Sequence, residues 1–359
     1  MSARPAAAAA LLALLLAGCT GRDVSPGPSP GPPPGASPGS TTGTPDATRT
    51  PPATVAQAPP PGPATVRCPA PTRTVSTAAE LTAALAAASP GDSIRLADGT
   101  YGGRFVATRS GTDRAPVFLC GGKGAVLDGG GVGAGYGLHL NGAGWWRLVG
   151  FTVRNAQKGV MADRARHCVI QGLTVTGIGD EAIHLRSFSS DNLVVGNTVS
   201  RTGLRREKFG EGVYVGSATS NWRQYSGGGP DRSDRNVVRG NSIAGTTAEA
   251  VDIKEGTTAG VLLDNVFDGS ALTEEGADSW VDVKGNGWLI QGNVGRNSPQ
   301  DGYQTHDVED GWGTGNVFRA NLAVNVRRYG IALTPELANR VACDNKVVGG
   351  GQVSRTGCG

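Results

Sequence analysis
Val251-Asp252-Ile253-Lys254, followed thirty residues later by Val281-Asp282-Val283-Lys284, decides how this 359-residue chain is read. The first and third positions are apolar, and the second and fourth are ionisable. Successive side chains of a strand point to opposite faces, so each tetrapeptide buries two residues and displays two. The pattern extends in both directions. Upstream lie Leu138-His139-Leu140-Asn141, Val160-Met161-Ala162-Asp163, Ile183-His184-Leu185-Arg186 and Val213-Tyr214-Val215-Gly216. Downstream lie Tyr303-Gln304-Thr305-His306 and Ile331-Ala332-Leu333-Thr334. If the copies stack, the displayed residues form a ladder of two columns.

A second column supports the stacking. Each copy is followed by a short apolar strand and a turn, as in Leu193-Val194-Val195-Gly196-Asn197 and Leu289-Ile290-Gln291-Gly292-Asn293, and six of the eight turns end in Asn. The steps between copies run from 22 to 38 residues. A period of this size, built from strands with Gly and Asn turns and no helical pattern, marks a solenoid. Leucine-rich repeats share the period but need Leu at fixed spacing, which is absent. Asn suits a corner because it tolerates the left-handed region and its amide can bond to the Asn one coil above. The residues therefore predict an all-β chain, a single parallel β-helix of about eight regular coils. Residues 94–127 are expected to add one or two irregular coils beneath it. Thr77-Ala78-Ala79-Glu80 matches a helix capping box, and Leu81 and Leu85 make an apolar stripe, so a short helix is expected to cap the first coil.

Three segments follow from composition. Residues 1–19 read as an export signal, with Arg4 as the only charge, an Ala/Leu run over 6–16, and Leu16-Ala17-Gly18-Cys19 at its end. That tetrapeptide resembles the lipobox of bacterial lipoproteins, which makes Cys19 the expected lipidated residue and the membrane a partner through a lipid anchor. An ordinary secretory signal is the alternative, and the apolar run is well short of the ~20 residues of a membrane span. Residues 20–66 are rich in Pro, Gly, Ser and Thr and read as a disordered tether. Residues 67–359 form the β-helix domain. The protein is thus expected to be exported, on the cell surface or secreted, and monomeric. Net charge is +3 with both signs dispersed, which excludes a nucleic-acid footprint. Export permits disulfides; Cys68 with Cys120 and Cys343 with Cys358 is one pairing open to the cysteines, leaving Cys168 free.

The chain resembles the right-handed parallel β-helix, or pectin-lyase-like, superfamily over about residues 72–357. Its opening, with Glu80-Leu81, Pro90-Gly91-Asp92 and Asp98-Gly99-Thr100-Tyr101, is most similar to the chondroitinase B and alginate lyase family. The resemblance implies a right-handed helix, three sheets per coil, and an active groove along the displayed face of the first sheet. The Val281–Lys284 rung is similar to the rung that carries that family's basic Lys. One coil later the family places an Arg, where this chain has His306.

In stacked register Lys254 neighbours Lys284 and Asp252 neighbours Asp282, about 4.8 Å apart. Like charges at that spacing predict one Lys with a depressed pKa and one Asp with a raised one. Lys284 is the expected base, with Lys254 as its alternative, and His306 the acid or a second basic group. Asp252 and Asp282 would hold a Ca²⁺ or tune the lysines. Gln304, Tyr214, Arg186 and His184 extend the patch as substrate contacts. The added length falls at residues 203–211, 216–234, 270–279 and 307–314, all flanking the same coils, and loops on a rigid scaffold commonly carry binding function. The expected function is a surface-anchored enzyme on an acidic, uronic-acid polysaccharide, most simply a lyase using β-elimination. The alternatives are a C5-epimerase in the same groove and a non-catalytic glycan-binding module.

Overall fold
The structure, a computed structural model, describes residues 65–359 apart from 134 and 274. The export signal, Cys19 and nearly all of the tether lie outside the described residues. The repeats fold as read: every strand pairing is parallel, and the strands fall into three sheets of eleven, ten and ten. The ladder strands form one ten-stranded sheet. His184, Tyr214, Asp252, Asp282, Gln304 and Ala332 stand in one column of it, each opposite the next. A slip of one residue would turn these side chains into the apolar core and Val251 and Val281 out of it, so the apolar alternation fixes the register.

The sheet has ten strands rather than eight because Phe105–Ala107 and Gln352–Ser354 join it at the two ends. The coil count is therefore about ten. Inward-facing residues make one continuous core, in which Trp280, Phe267 and Phe318 pack edge-on around Tyr303 with ring centroids 5.9–6.5 Å apart.

The Asn column closes the corner between the second and third sheets. Asn197, Asn241, Asn265, Asn293, Asn321 and Asn345 each accept, on Oδ1, bonds of 2.9–3.0 Å from the residue below; from Asn241 upward these are the backbone N–H and side-chain amide of the preceding Asn. The left-handed residue at this corner is not the Asn, as expected, but the one before it: Gly196, Gly240, Asp264, Gly292 and Ala320 have φ between 51° and 68°. That leaves the Asn extended enough to serve the ladder. A second, unanticipated Asn pair, Asn192 and Asn236, does the same at another corner.

The ends are closed as predicted. Helix Ala78–Ala86 carries the Thr77/Glu80 capping box and buries Leu81, Ala84 and Leu85. Disulfides join Cys68 to Cys120 and Cys343 to Cys358, and Cys168 is free and buried. Among the described residues no helix is long and apolar enough to cross a membrane.

Candidate active site
The four insertions sort by side. Two precede their strands, 203–211 ahead of Val213 and 270–279 ahead of Val281; two follow theirs, 216–234 after Val215 and 307–314 after Thr305. They leave the ladder sheet at its opposite edges, and Arg206 and Phe209 from one side with Ser217, Asn221 and Tyr225 from the other line one recess on its displayed face. Between the two that follow their strands, Thr219 Oγ1 donates to Glu309 at 3.1 Å and the Arg232 guanidinium lies 5.8 Å from the Trp312 ring centre. Trp222 is a packing residue, buried with its Nε1 donating to Ser217 O.

The groove floor carries one continuous ion network. Lys254 Nζ lies 2.6 Å from Asp252 Oδ2. Lys284 Nζ bridges Asp252 Oδ1 and Asp282 Oδ2, each at 2.9 Å. Asp282 Oδ1 accepts from Ser279 Oγ at 2.9 Å and lies 3.1 Å from His306 Nε2. The His306 contact is off the line of a hydrogen bond, so it is an ion pair held by proximity.

This arrangement corrects the expected electrostatics. The side chains interleave by sign instead of meeting like with like. Burial alone would push the Lys284 ammonium down, but Asp252 and Asp282 outweigh it and hold its pKa above the usual 10.5. Lys254 is raised in the same way, chiefly by Asp252. Asp282 is held well below the usual carboxylate value because Lys284 and His306 outweigh its burial. His306 is raised by Asp282 against its own burial. No lysine is depressed, and neither aspartate has a free oxygen for Ca²⁺: all four are taken up by lysine, serine or histidine.

The other predicted residues divide. Tyr214 is 8% exposed and lies between His184, at 4.3 Å between ring centres, and Lys254, whose ammonium is 5.0 Å from the Tyr214 ring centre. His184 serves as a prop and also lines the recess shared by Arg186 and Tyr214. It is buried, its Nε2 donates to Gly216 O at 3.0 Å, and burial lowers its pKa, so it stays neutral. Arg186 is also engaged: it pairs with Asp163 at 2.7 Å and stacks on Tyr225 at 3.7 Å. Arg186, Tyr214 and Tyr225 line a recess of about 160 Å³ at one end of the network. Gln304 and His306 line a second, of about 290 Å³, at the other.

Sequence reasoning missed a third column. Three residues before the displayed second position of successive rungs stand Glu181, Glu211, Glu249, Ser279 and Asp301. Their signal was that fixed offset, as in Glu211-Gly212-Val213-Tyr214 and Glu249-Ala250-Val251-Asp252. Glu181 pairs with Lys158 at 2.5 Å. Glu211 is 4% exposed, and its Oε2 has no hydrogen-bond partner. Oxygens of Glu211, Glu249 and Asp252 come within 4.8 Å of one another. Burial first, then neighbouring carboxylates, push Glu211 and Glu249 well above the usual value toward the protonated form.

Known proteins share this architecture. Residues 136–271 match the family described as the right handed beta helix region. No curated protein matches. Among solved structures, the alginate lyase of Paenibacillus sp. str. FPU-7 is 36% identical, with 79% of this chain and 98% of that one aligned at a TM-score of 0.74. Pectate lyase Pel9A (18% identity, 76% and 71% covered, TM-score 0.59) and the polygalacturonase of Erwinia carotovora ssp. carotovora (13%, 82% and 97%, TM-score 0.52) share the fold. The chain thus belongs to the family of the Paenibacillus enzyme, the right-handed parallel β-helix proteins of pectin-lyase-like type, and is a polysaccharide-acting enzyme of the lyase class.

Proposed function
We propose that the chain cleaves a uronic-acid polysaccharide by β-elimination, with alginate the first substrate to test. The observation that carries this reading is the Lys254–Asp252–Lys284–Asp282–His306 network on the displayed face of the ladder sheet; the 36% identity to an alginate lyase supports it. β-Elimination removes the proton on C5, beside the carboxylate, and expels the glycosidic oxygen from C4, leaving a C4=C5 double bond. Negative charge builds on the carboxylate, so preorganised positive charge there lowers the barrier. Lys284 suits that role: two carboxylates lock it as a cation.

The proton acceptor must be a group that can lose its proton. Lys284 is clamped from both sides, whereas Lys254 touches one carboxylate and borders Tyr214 at the mouth of the smaller recess. Lys254 is the proposed base: Asp252 holds its pKa above 10.5 as well, so only the fraction that has lost its proton acts, and that fraction grows with pH. His306, whose pKa Asp282 raises against its burial and which is partly exposed, is the donor to the leaving oxygen. Oxygens of Glu211, Glu249 and Asp252 come within 4.8 Å of one another, but those of Asp252 are already paired with Lys254 and Lys284, so a divalent cation there would rest on the two glutamates and would supply Lewis-acid neutralisation of the substrate carboxylate. Without a cation, Glu211 and Glu249, pushed toward the protonated form by burial and neighbouring carboxylates, would offer hydrogen-bond donors to that carboxylate.

Export to the cell surface through Cys19 belongs to the same reading, and the two disulfides suit an oxidising compartment. Incubation with alginate, pectate and glycosaminoglycans, followed by ultraviolet absorbance, tests the reaction. The unsaturated product should accumulate on at least one polymer. Altered sugar stereochemistry at unchanged chain length would replace elimination by epimerisation, and binding without turnover would remove catalysis.

A further inference from the structure
The charges of the groove floor satisfy one another, so they leave little to grip a polyanion away from the reacting sugar. Unspent positive charge lies further along the same sheet. Strand Tyr329–Ala332 stacks two coils beyond Val281–Val283, and Gln352–Ser354 stacks on it in turn. At ~4.8 Å per coil this places them about 10 and 14 Å from the Lys284 rung. They bring Arg328 and Arg355 to the recess of about 290 Å³ that also holds Gln304, His306 and Thr334. Arg328 opens as well on a neighbouring recess of about 430 Å³ with Arg327.

Among the described residues the ion pairs at this end are Arg328 with Asp301 and Arg319 with Asp344, both only 4.0 Å contacts. Arg355 is exposed and has none. The Arg328 side chain is 52% exposed. Two carboxylates face the recess. Asp301 is buried, and its oxygens accept from Tyr329 N at 2.8 Å and Gln304 Nε2 at 3.1 Å; Asp278 is half-exposed. The cations reach solvent, while the better-placed acid is turned inward.

We infer that Arg328 and Arg355 form a distal subsite that binds the carboxylate of a uronate residue two to three coils from the reacting sugar. The inference rests on the proposed uronan reading and extends it to chain length: short oligomers fill the centre alone, and polymers also engage the arginines. A planar guanidinium pairs a carboxylate through two parallel bonds. The Cys343–Cys358 bridge and the Arg340 Nε bond to Gly359 O, at 2.8 Å, pin the segment carrying Arg355 against the last coil.

The test compares the full chain with Arg328→Gln, Arg355→Gln and the double variant. On polymer the double variant should raise KM about tenfold with kcat unchanged, the weight of one charge-assisted hydrogen bond. On the shortest oligomer that is cleaved, KM should not move. Arg355→Lys should recover part of the loss. An equal KM rise at both lengths, or none on polymer, overturns the subsite. Gel retardation in polyuronate against neutral glucan reads binding without turnover. If no uronan yields unsaturated product, the lyase reading fails by itself, and Arg355-dependent retardation by polyuronate still decides the subsite. Unchanged retardation of the double variant rejects it.

Discussion

Lys284 and Lys254 carry the same side chain on adjacent rungs, yet their surroundings give them different work. Lys284 neutralises two buried carboxylates, so Lys284→Met leaves Asp252 and Asp282 short of a partner. It should cost about 3–5 kcal/mol of stability, the usual price of breaking a buried pair, read by denaturant unfolding. Lys254→Met removes one of two cations from Asp252 and should cost clearly less. The pH profile separates acid from base. As an acid His306 must stay protonated, and Asp282 raises its pKa above the usual 6.5, so its protonated fraction at a given pH exceeds that of a free imidazole. As a base Lys254 must be deprotonated, and its pKa lies above 10.5, so the active fraction grows with pH. The product of the two predicts kcat/KM rising with pH up to the His306 pKa, above 6.5, and then level until the Lys254 pKa, above 10.5. A maximum below neutrality would assign the base elsewhere. The glutamates make a further prediction. If their protonated forms serve, Glu211→Gln and Glu249→Gln should stay within about tenfold of the parent and be insensitive to chelator; a bound cation would make both variants lose about 10²-fold or more.

At the level of elements, much was legible because a strand repeats every two residues and a coil repeats its strands. The ladder register followed from apolar alternation, and the Asn column from six copies of one turn. The left-handed position was misplaced because Asn tolerates that region, while the Gly, Asp or Ala before it was the residue using it. Ala320, with φ 51°, takes it without the freedom of glycine, at about 1–2 kcal/mol. Ala320→Gly should therefore stabilise the protein by roughly 1 kcal/mol after the entropy of a flexible unfolded glycine is deducted, and a lower melting point would contradict that account. The glutamate column was missed because alternation was counted only within the four-residue rung. Glu211 and Glu249 sit two residues before it. The charge interleaving was missed for a different reason. Cα register fixes which residues are neighbours, but a lysine stem is long enough to carry its ammonium past the neighbouring lysine to the aspartate on the next coil.

Across the whole molecule, the β-helix turns a short sequence pattern into a long surface. From the Ile183–Arg186 rung to Gln352–Ser354 the ladder sheet climbs six coils, about 29 Å at ~4.8 Å each. One end is a recess walled by Tyr225 and Arg186, the middle is the neutralised ion network, and the other end carries exposed arginines. Loops leave the sheet at opposite edges, so a linear polymer can lie along its displayed face with one sugar over Lys254 and Lys284. The central claim is elimination at that point, and the most direct measurement is the rate of unsaturated-product formation by Lys254→Met on the best uronan. With melting preserved, kcat is predicted to fall about 10³-fold, within the range lost with a general base. A folded Lys254→Met protein that forms the double bond at the parent rate would contradict it.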